Sequence, residues 1–159
     1  MGQQQLLLLV LGIVIVGVAV IVGLQAFAVN QKKANIDAIQ LTSMRIASEA
    51  QAWLRTPVSY GGGMPTVGGR QSNFQDLTLD IATLGYTTDG SGNYVDLNGV
   101  YSGTVNAGNF IITATSASSS GNGDNNIVCT IVSGPLVGDI TTEINPASGS
   151  CTGVVIVAS

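Results

Sequence analysis

Histidine is absent from this chain, and cysteine occurs only twice. Without an imidazole there is no Ser-His-Asp or Cys-His relay and no histidine metal ligand. Charge is scarce too: Asp, Glu, Lys and Arg make up 9% of the residues, against roughly a quarter in an ordinary soluble domain. No Asn-x-Ser/Thr sequence occurs, so there is no acceptor for an N-linked glycan. The aromatics are Phe27, Trp53, Tyr60, Phe74, Tyr86, Tyr94, Tyr101 and Phe110. With so few and no haem-attachment motif, electron conduction has little support. Proline is missing from Gln3 to Arg55 and first appears at Pro57, so nothing in that stretch breaks a helix. Beyond residue 55 the one basic residue is Arg70, set against Asp76, Asp80, Asp89, Asp96, Asp124, Asp139 and Glu143, a net charge of −6. Such a region is a poor surface for polyanions, and nucleic-acid binding by it is not expected. Every Asp there sits in a turn-like setting. No catalytic residue, cofactor or metal site is assigned, and the chain is not expected to be an enzyme.

What is present begins with MGQQQLLLLVLGIVIVGVAVIVGLQAF. From Leu6 to Leu24 every residue is apolar or glycine, and no charge occurs before Lys32. A run of about 20 apolar residues is long enough to cross a bilayer as a helix. A cleaved secretory signal has a shorter apolar core, about 7–15 residues, behind a basic stretch. Here the run is longer and no Lys or Arg stands before it, so retention is expected. A plain signal anchor conflicts with Lys32 and Lys33, which follow the span and favour keeping the rest of the chain in the cytoplasm. A basic leader, present during insertion and then removed, would ease that conflict. A buried core helix fails on scale, because the remaining residues could hardly enclose so long an apolar rod.

The pattern after the run is amphipathic. Ile36, Ile39, Ile46, Ala50 and Trp53 recur at helical spacings, with Ser43 in the gap. Polar positions between them include Gln40, Arg45 and Glu49. Residues 1–55 carry Lys32, Lys33, Arg45 and Arg55 against Asp37 and Glu49, a net charge of +2. The expected fold class is α+β. One long N-terminal helix, about residues 3–55, packs its C-terminal half on a small antiparallel β-sheet head. The expected division is 1–29 hydrophobic helix, 30–55 amphipathic continuation and 56–159 β-rich head. Gly12, Gly17 and Gly23 are candidate close-packing points between such helices in an apolar bundle. They also lower helix propensity, so local loosening near Gly12 to Gly17 is an open alternative.

Within the head, YGGGMPTVGG reads as a loop over 56–73. NFQDLTLDIATLGY places Phe74, Leu77, Ile81 and Leu84 at helix-like spacing and predicts a short helix near 76–84, stopped by Gly85. Candidate strands follow at 93–97, 99–104, 109–116, 126–133, 138–144 and 152–158, separated by Gly, Asn and Ser turn signals. Strands 109–116 and 152–158 are expected at the sheet centre. Cys129 and Cys151 read as a disulfide in an oxidising compartment; two buried free thiols are the alternative. DGSGNYVD offers the oxygens of Asp89, Ser91, Asn93 and Asp96 to calcium, but it lacks the full EF-hand spacing and reads better as a hairpin turn. GNGDNN, at 121–126, is a weaker case of the same kind. SASSSG, at 116–121, is a candidate for O-glycans.

The apolar opening and its amphipathic continuation, NIDAIQLTSMRIASEAQAWLR, resemble the type IV pilin superfamily. A glycine-rich connection and a β-rich head with a late disulfide fit the same layout. The resemblance implies a subunit that polymerises with other copies of itself through its hydrophobic helix. It implies residence in the cytoplasmic membrane before assembly and in an extracellular surface filament afterwards. It also implies a leader peptidase, for which Gly2 and Gln3 are the candidate site, with an assembly ATPase and a membrane platform. The chain departs from the family pattern in having no glutamate near the helix start, where Gln5 or Leu7 stands, and no proline midway along the apolar helix. A pseudopilin or minor pilin of a secretion or DNA-uptake machine, or a single-span anchored binding module, are the alternatives. Adhesion, motility and DNA uptake are not separated by these residues.

Overall fold

Leucine, alanine, valine and glutamine are the commonest residues of a proline-free stretch, and in the computed structural model that stretch forms helix α1, Gly2–Arg55. The structure describes residues 2–64, 73–75, 77–116, 126–146 and 151. By internal contacts the chain falls into two units, residues 1–35 and 36–159. The first unit is the apolar portion of α1. The second holds the rest of α1 and the head.

Helix α1 ends where its sequence demands. Pro57 has no N–H to continue the ladder and restricts the residue before it. Thr56 turns its hydroxyl back to the Ala52 carbonyl, 2.9 Å away. Gly63 donates its N–H to the Trp53 carbonyl at 3.0 Å. The Gly63 backbone lies so close to the Trp53 ring that an added Cβ would stand 2.5 Å from Cζ3, which explains a glycine there. Part of the segment read as a loop is a short 3₁₀ turn, Val58–Tyr60.

The sheet has five strands in sequence order, each antiparallel to the next: β1 (Tyr94–Val95), β2 (Gly99–Asn106), β3 (Asn109–Ser116), β4 (Ile127–Val132) and β5 (Ile140–Ile144). These match five of the expected strands, and 109–116 is central among them. The sixth, 152–158, lies outside the described residues, as do most of GNGDNN and SASSSG. Alternation assigns the two faces. Tyr101, Phe110, Ile112, Ala114, Val128 and Val132 point to the helix and join Ile39, Ile46, Ala47, Ala50 and Leu54 in one buried cluster. Ile36 and Trp53 pack against that cluster from its margin. The opposite face carries a smaller cluster of Ile111, Cys129, Ile131 and Cys151. Cys129 and Cys151 are disulfide-bonded, Cα–Cα 5.3 Å, so the free-thiol alternative is set aside.

The short helix expected near 76–84 does not form. Among the described residues of that stretch, 77–80 have no helical assignment and 81–85 form a turn. Phe74 donates its N–H to the Gly108 carbonyl at 2.9 Å, tying the start of the segment to the β2–β3 hairpin. Phe74, Leu79 and Ile81 are buried, and Leu77 and Leu84 pack at the margin. The apolar spacing therefore serves a chain laid across the core rather than a helix face. Asp80 accepts from both the N–H (2.7 Å) and the hydroxyl of Thr83 (2.5 Å), which holds the closing turn.

Two stability tests follow from this packing. The β2–β3 hairpin turns on Ala107 and Gly108, both in left-handed conformation (φ 50° and 80°). Asparagine tolerates that conformation better than alanine, so Ala107→Asn is expected to raise stability by about 0.5–1 kcal/mol, read from the urea midpoint. The disulfide joins residues 22 apart. Replacing both cysteines by alanine is expected to cost about 3 kcal/mol in the same measurement.

Candidate functional site

The first unit presents an apolar surface with no cover. Its most apolar window of 18 residues has a mean hydropathy of 3.2 and no buried residue. Leu6, Leu7, Leu8, Leu9, Val10 and Leu11 are all exposed, and consecutive residues point about 100° apart, so they cover every side of the helix. The structure thus has a helix long and apolar enough to cross a membrane, and this region is the candidate functional surface. Gly12, Gly17 and Gly23 lie on it, and a Cβ added at any of them would meet nothing within 4 Å. Among the described residues no second backbone lies within that distance of them. Gly2 and Gln3 form the first turn of α1, which has no acidic residue to meet the positive helix end.

The residues read from the sequence as joining helix to head are brought together in the second unit. Ile39, Ile46 and Ala50 are fully buried, while Ile36 and Trp53 are half-buried. Sequence reasoning missed Ala47, Gln51 and Leu54, which are also buried. Ala47, Ala50 and Leu54 continue a 3–4 spacing that was legible. Gln51 carried no such signal. Its side-chain amide donates to the carbonyls of Gly134 (2.9 Å) and Leu136 (2.6 Å), fastening the β4–β5 connection to the helix. Trp53 donates its indole N–H to the Gly61 carbonyl at 2.9 Å, which orients the ring at the core margin.

On the opposite flank three tyrosines stack in sequence, Tyr86 on Tyr94 (centroids 4.9 Å) and Tyr94 on Tyr101 (5.6 Å). The Arg45 guanidinium lies 5.4 Å from the Tyr86 ring centre, a cation–π distance. Tyr101 is fully buried and donates its hydroxyl to Asp96 Oδ2 at 3.2 Å. The other Asp96 oxygen accepts the N–H groups of Asn98 (2.7 Å) and Gly99 (2.8 Å). Asp89 Oδ1 likewise accepts from the N–H groups of Ser91 and Asn93, each at 2.9 Å, so DGSGN forms a tight turn leading into β1. These bonds hold the Asp89 carboxyl below its ordinary range. Among the described residues no group of three or more Asp, Glu, His or Cys stands close enough to hold a metal.

None of the protein-family models, curated proteins or solved structures compared with the chain matches it.

Burial, with the negative charge of Asp96 nearby, pushes the Tyr101 phenol up to about 12. An unfolded tyrosine ionises near 10. The stability tied to this proton is therefore complete below about pH 10 and is lost as pH rises through about 12. In a near-UV titration one tyrosine is expected to ionise last, and Tyr101→Phe is expected to remove that step.

Proposed function

We propose that the chain is a structural subunit, a major pilin, of an extracellular type IV pilus-like filament. One observation carries the reading: the apolar portion of α1 is exposed on every side, while the same helix further along supplies core residues to a folded head. A lone chain of this kind is unstable in water. Its apolar portion requires lipid or the same portion of other copies. A long N-terminal helix packed on an antiparallel sheet, with a disulfide, is compatible with a pilin-like fold.

In this reading the helix over residues 6–29 resides in the cytoplasmic membrane before assembly, with the head outside the cytoplasm. A leader peptidase acting near Gly2 and Gln3, an assembly ATPase and a membrane platform would serve assembly. The helices then exchange lipid for one another. That exchange is close to neutral, because lipid tails are as apolar as leucine. Close backbone approach at Gly12, Gly17 and Gly23 and contacts between heads must supply the net gain.

Electron microscopy of material sheared from the native cells, with mass spectrometry of its N-terminal peptide, tests the reading. Long uniform filaments made mainly of this chain are expected. A chain found only in membranes, in no filament, would overturn it in favour of a scarce pseudopilin or an anchored module. Gly17→Leu separates assembly from insertion. A Cβ added at Gly17 meets nothing within 4 Å among the described residues, and leucine is the better helix former. Membrane insertion is expected to be unchanged. The critical concentration for filament assembly is expected to rise on the order of tenfold, the equivalent of about 1.4 kcal/mol per added subunit. Undiminished filaments would rule out close packing at Gly17.

A further inference from the structure

The β4–β5 flank of the head has an exposed surface that the core does not use. Leu136 and Val137, in the connection, are 66% and 86% exposed. Their backbone is held in place: Gln51 binds the Leu136 carbonyl, and Asp139 Oδ2 accepts the Leu136 N–H at 2.8 Å. Two apolar side chains are thus presented to solvent on a fixed turn. The strand that follows carries Glu143. Pairing with Cys129 turns Glu143 to the sheet face away from the helix, where it is exposed. Leu136 and Val137 stand before the edge strand β5 and Glu143 near its far end, so an apolar pair and an acid are spaced on the order of 15 Å apart along this edge of the sheet.

A matching row lies on α1. Val22, Ala26, Val29 and Lys33 follow one another at spacings of four, three and four, so they share a face. Val22 and Val29 are exposed, and Lys33 ends the row about 16 Å from its start. Lys32 adds a second positive charge beside it. This row is also apolar first and charged after, with the opposite sign. The whole chain repeats the contrast, +2 over residues 1–55 and −6 over residues 56–159.

We propose that the Leu136–Glu143 flank of one copy docks on the Val22–Lys33 face of a second copy, with Glu143 opposed to Lys33. The two surfaces differ, so the contact is heterologous, and a heterologous contact that does not close into a ring extends into a helical filament. The proposal rests on the filament reading above and adds a specific partner surface. It gives head-to-helix contacts the directional role that exchange of lipid for helix lacks.

A charge swap in the full-length chain tests it, with filaments counted by pelleting and electron microscopy after release from detergent. Glu143 belongs to neither side-chain cluster, so Glu143→Lys is expected to keep the near-UV circular dichroism of the parent. It places like charges together and is expected to lower filament yield roughly tenfold or more. Lys33→Glu alone is expected to do the same. The double variant Glu143→Lys/Lys33→Glu is expected to recover most of the yield. Unchanged yield in either single variant, or no recovery in the double, would overturn the contact while parent filaments persist. If the parent chain itself forms no filament, the filament reading fails, and this contact falls with it.

Discussion

An apolar helix with no cover is the constraint on which the rest of this structure depends. Hydrophobic burial scales with the area removed from water, and the first unit removes almost none within its own chain. Every residue from Leu6 to Leu24 is apolar or glycine, so no face is reserved for solvent. A soluble amphipathic helix would spend one stripe on a core and keep the other wet. This helix has committed its whole circumference to an environment that must come from elsewhere. The absence of charge before Lys32 follows from the same constraint, because a charge in hydrocarbon is costly at any rotation of the helix.

Within α1 the same secondary structure is then put to a second use. From Ile36 onward the apolar positions narrow to a stripe, and that stripe is buried against β2, β3 and β4. Small residues at Ser43, Ala47 and Ala50 let the sheet approach, while Ile39, Ile46 and Leu54 fill the space between. Ser43 keeps its hydroxyl satisfied on the Ile39 carbonyl, 2.9 Å away in the preceding turn, so its burial leaves no polar group unpaired. At the far end Gln51 supplies two hydrogen bonds that tie the β4–β5 connection to the helix, while Ser133 and Asp139 brace that connection within itself. The disulfide acts on the opposite face, so the sheet is held from both sides.

The α+β layout was legible because the hydrophobic period changes in plain view. It runs without interruption to Leu24, becomes helical from Ile36 to Leu54, and becomes alternating in the strands after Tyr86. Asn-Ala-Gly-Asn and Asp-Gly-Ser-Gly marked two of the turns directly. The stretch from Phe74 to Gly85 was misread for a definite reason. Apolar spacing reports which residues are buried, and a chain crossing the edge of a core can bury every third or fourth residue without being helical. What decides between the two is a tertiary bond, here from Phe74 to Gly108, and no local pattern encodes it. Gln51 escaped for a related reason. An amide on a helix flank reads as solvated until the carbonyls of Gly134 and Leu136, more than eighty residues later, are placed beside it.

The head answers a problem that the helix creates. Packing among apolar helices discriminates poorly, since lipid and protein offer similar contacts. In the proposed filament, specificity between copies would come from groups whose interaction depends on register: backbone approach at glycine, and charge outside the apolar zone. Charges are few, and their distribution is uneven. Seven of the nine acids lie beyond residue 55, while four of the five basic residues lie on α1. An exposed pair of opposite charges is worth little alone. It gains weight when set at the end of an apolar contact that excludes water and when repeated along a polymer. On the proposed reading, a sequence with so little charge can specify an assembly, provided each sign is confined to its own part of the chain.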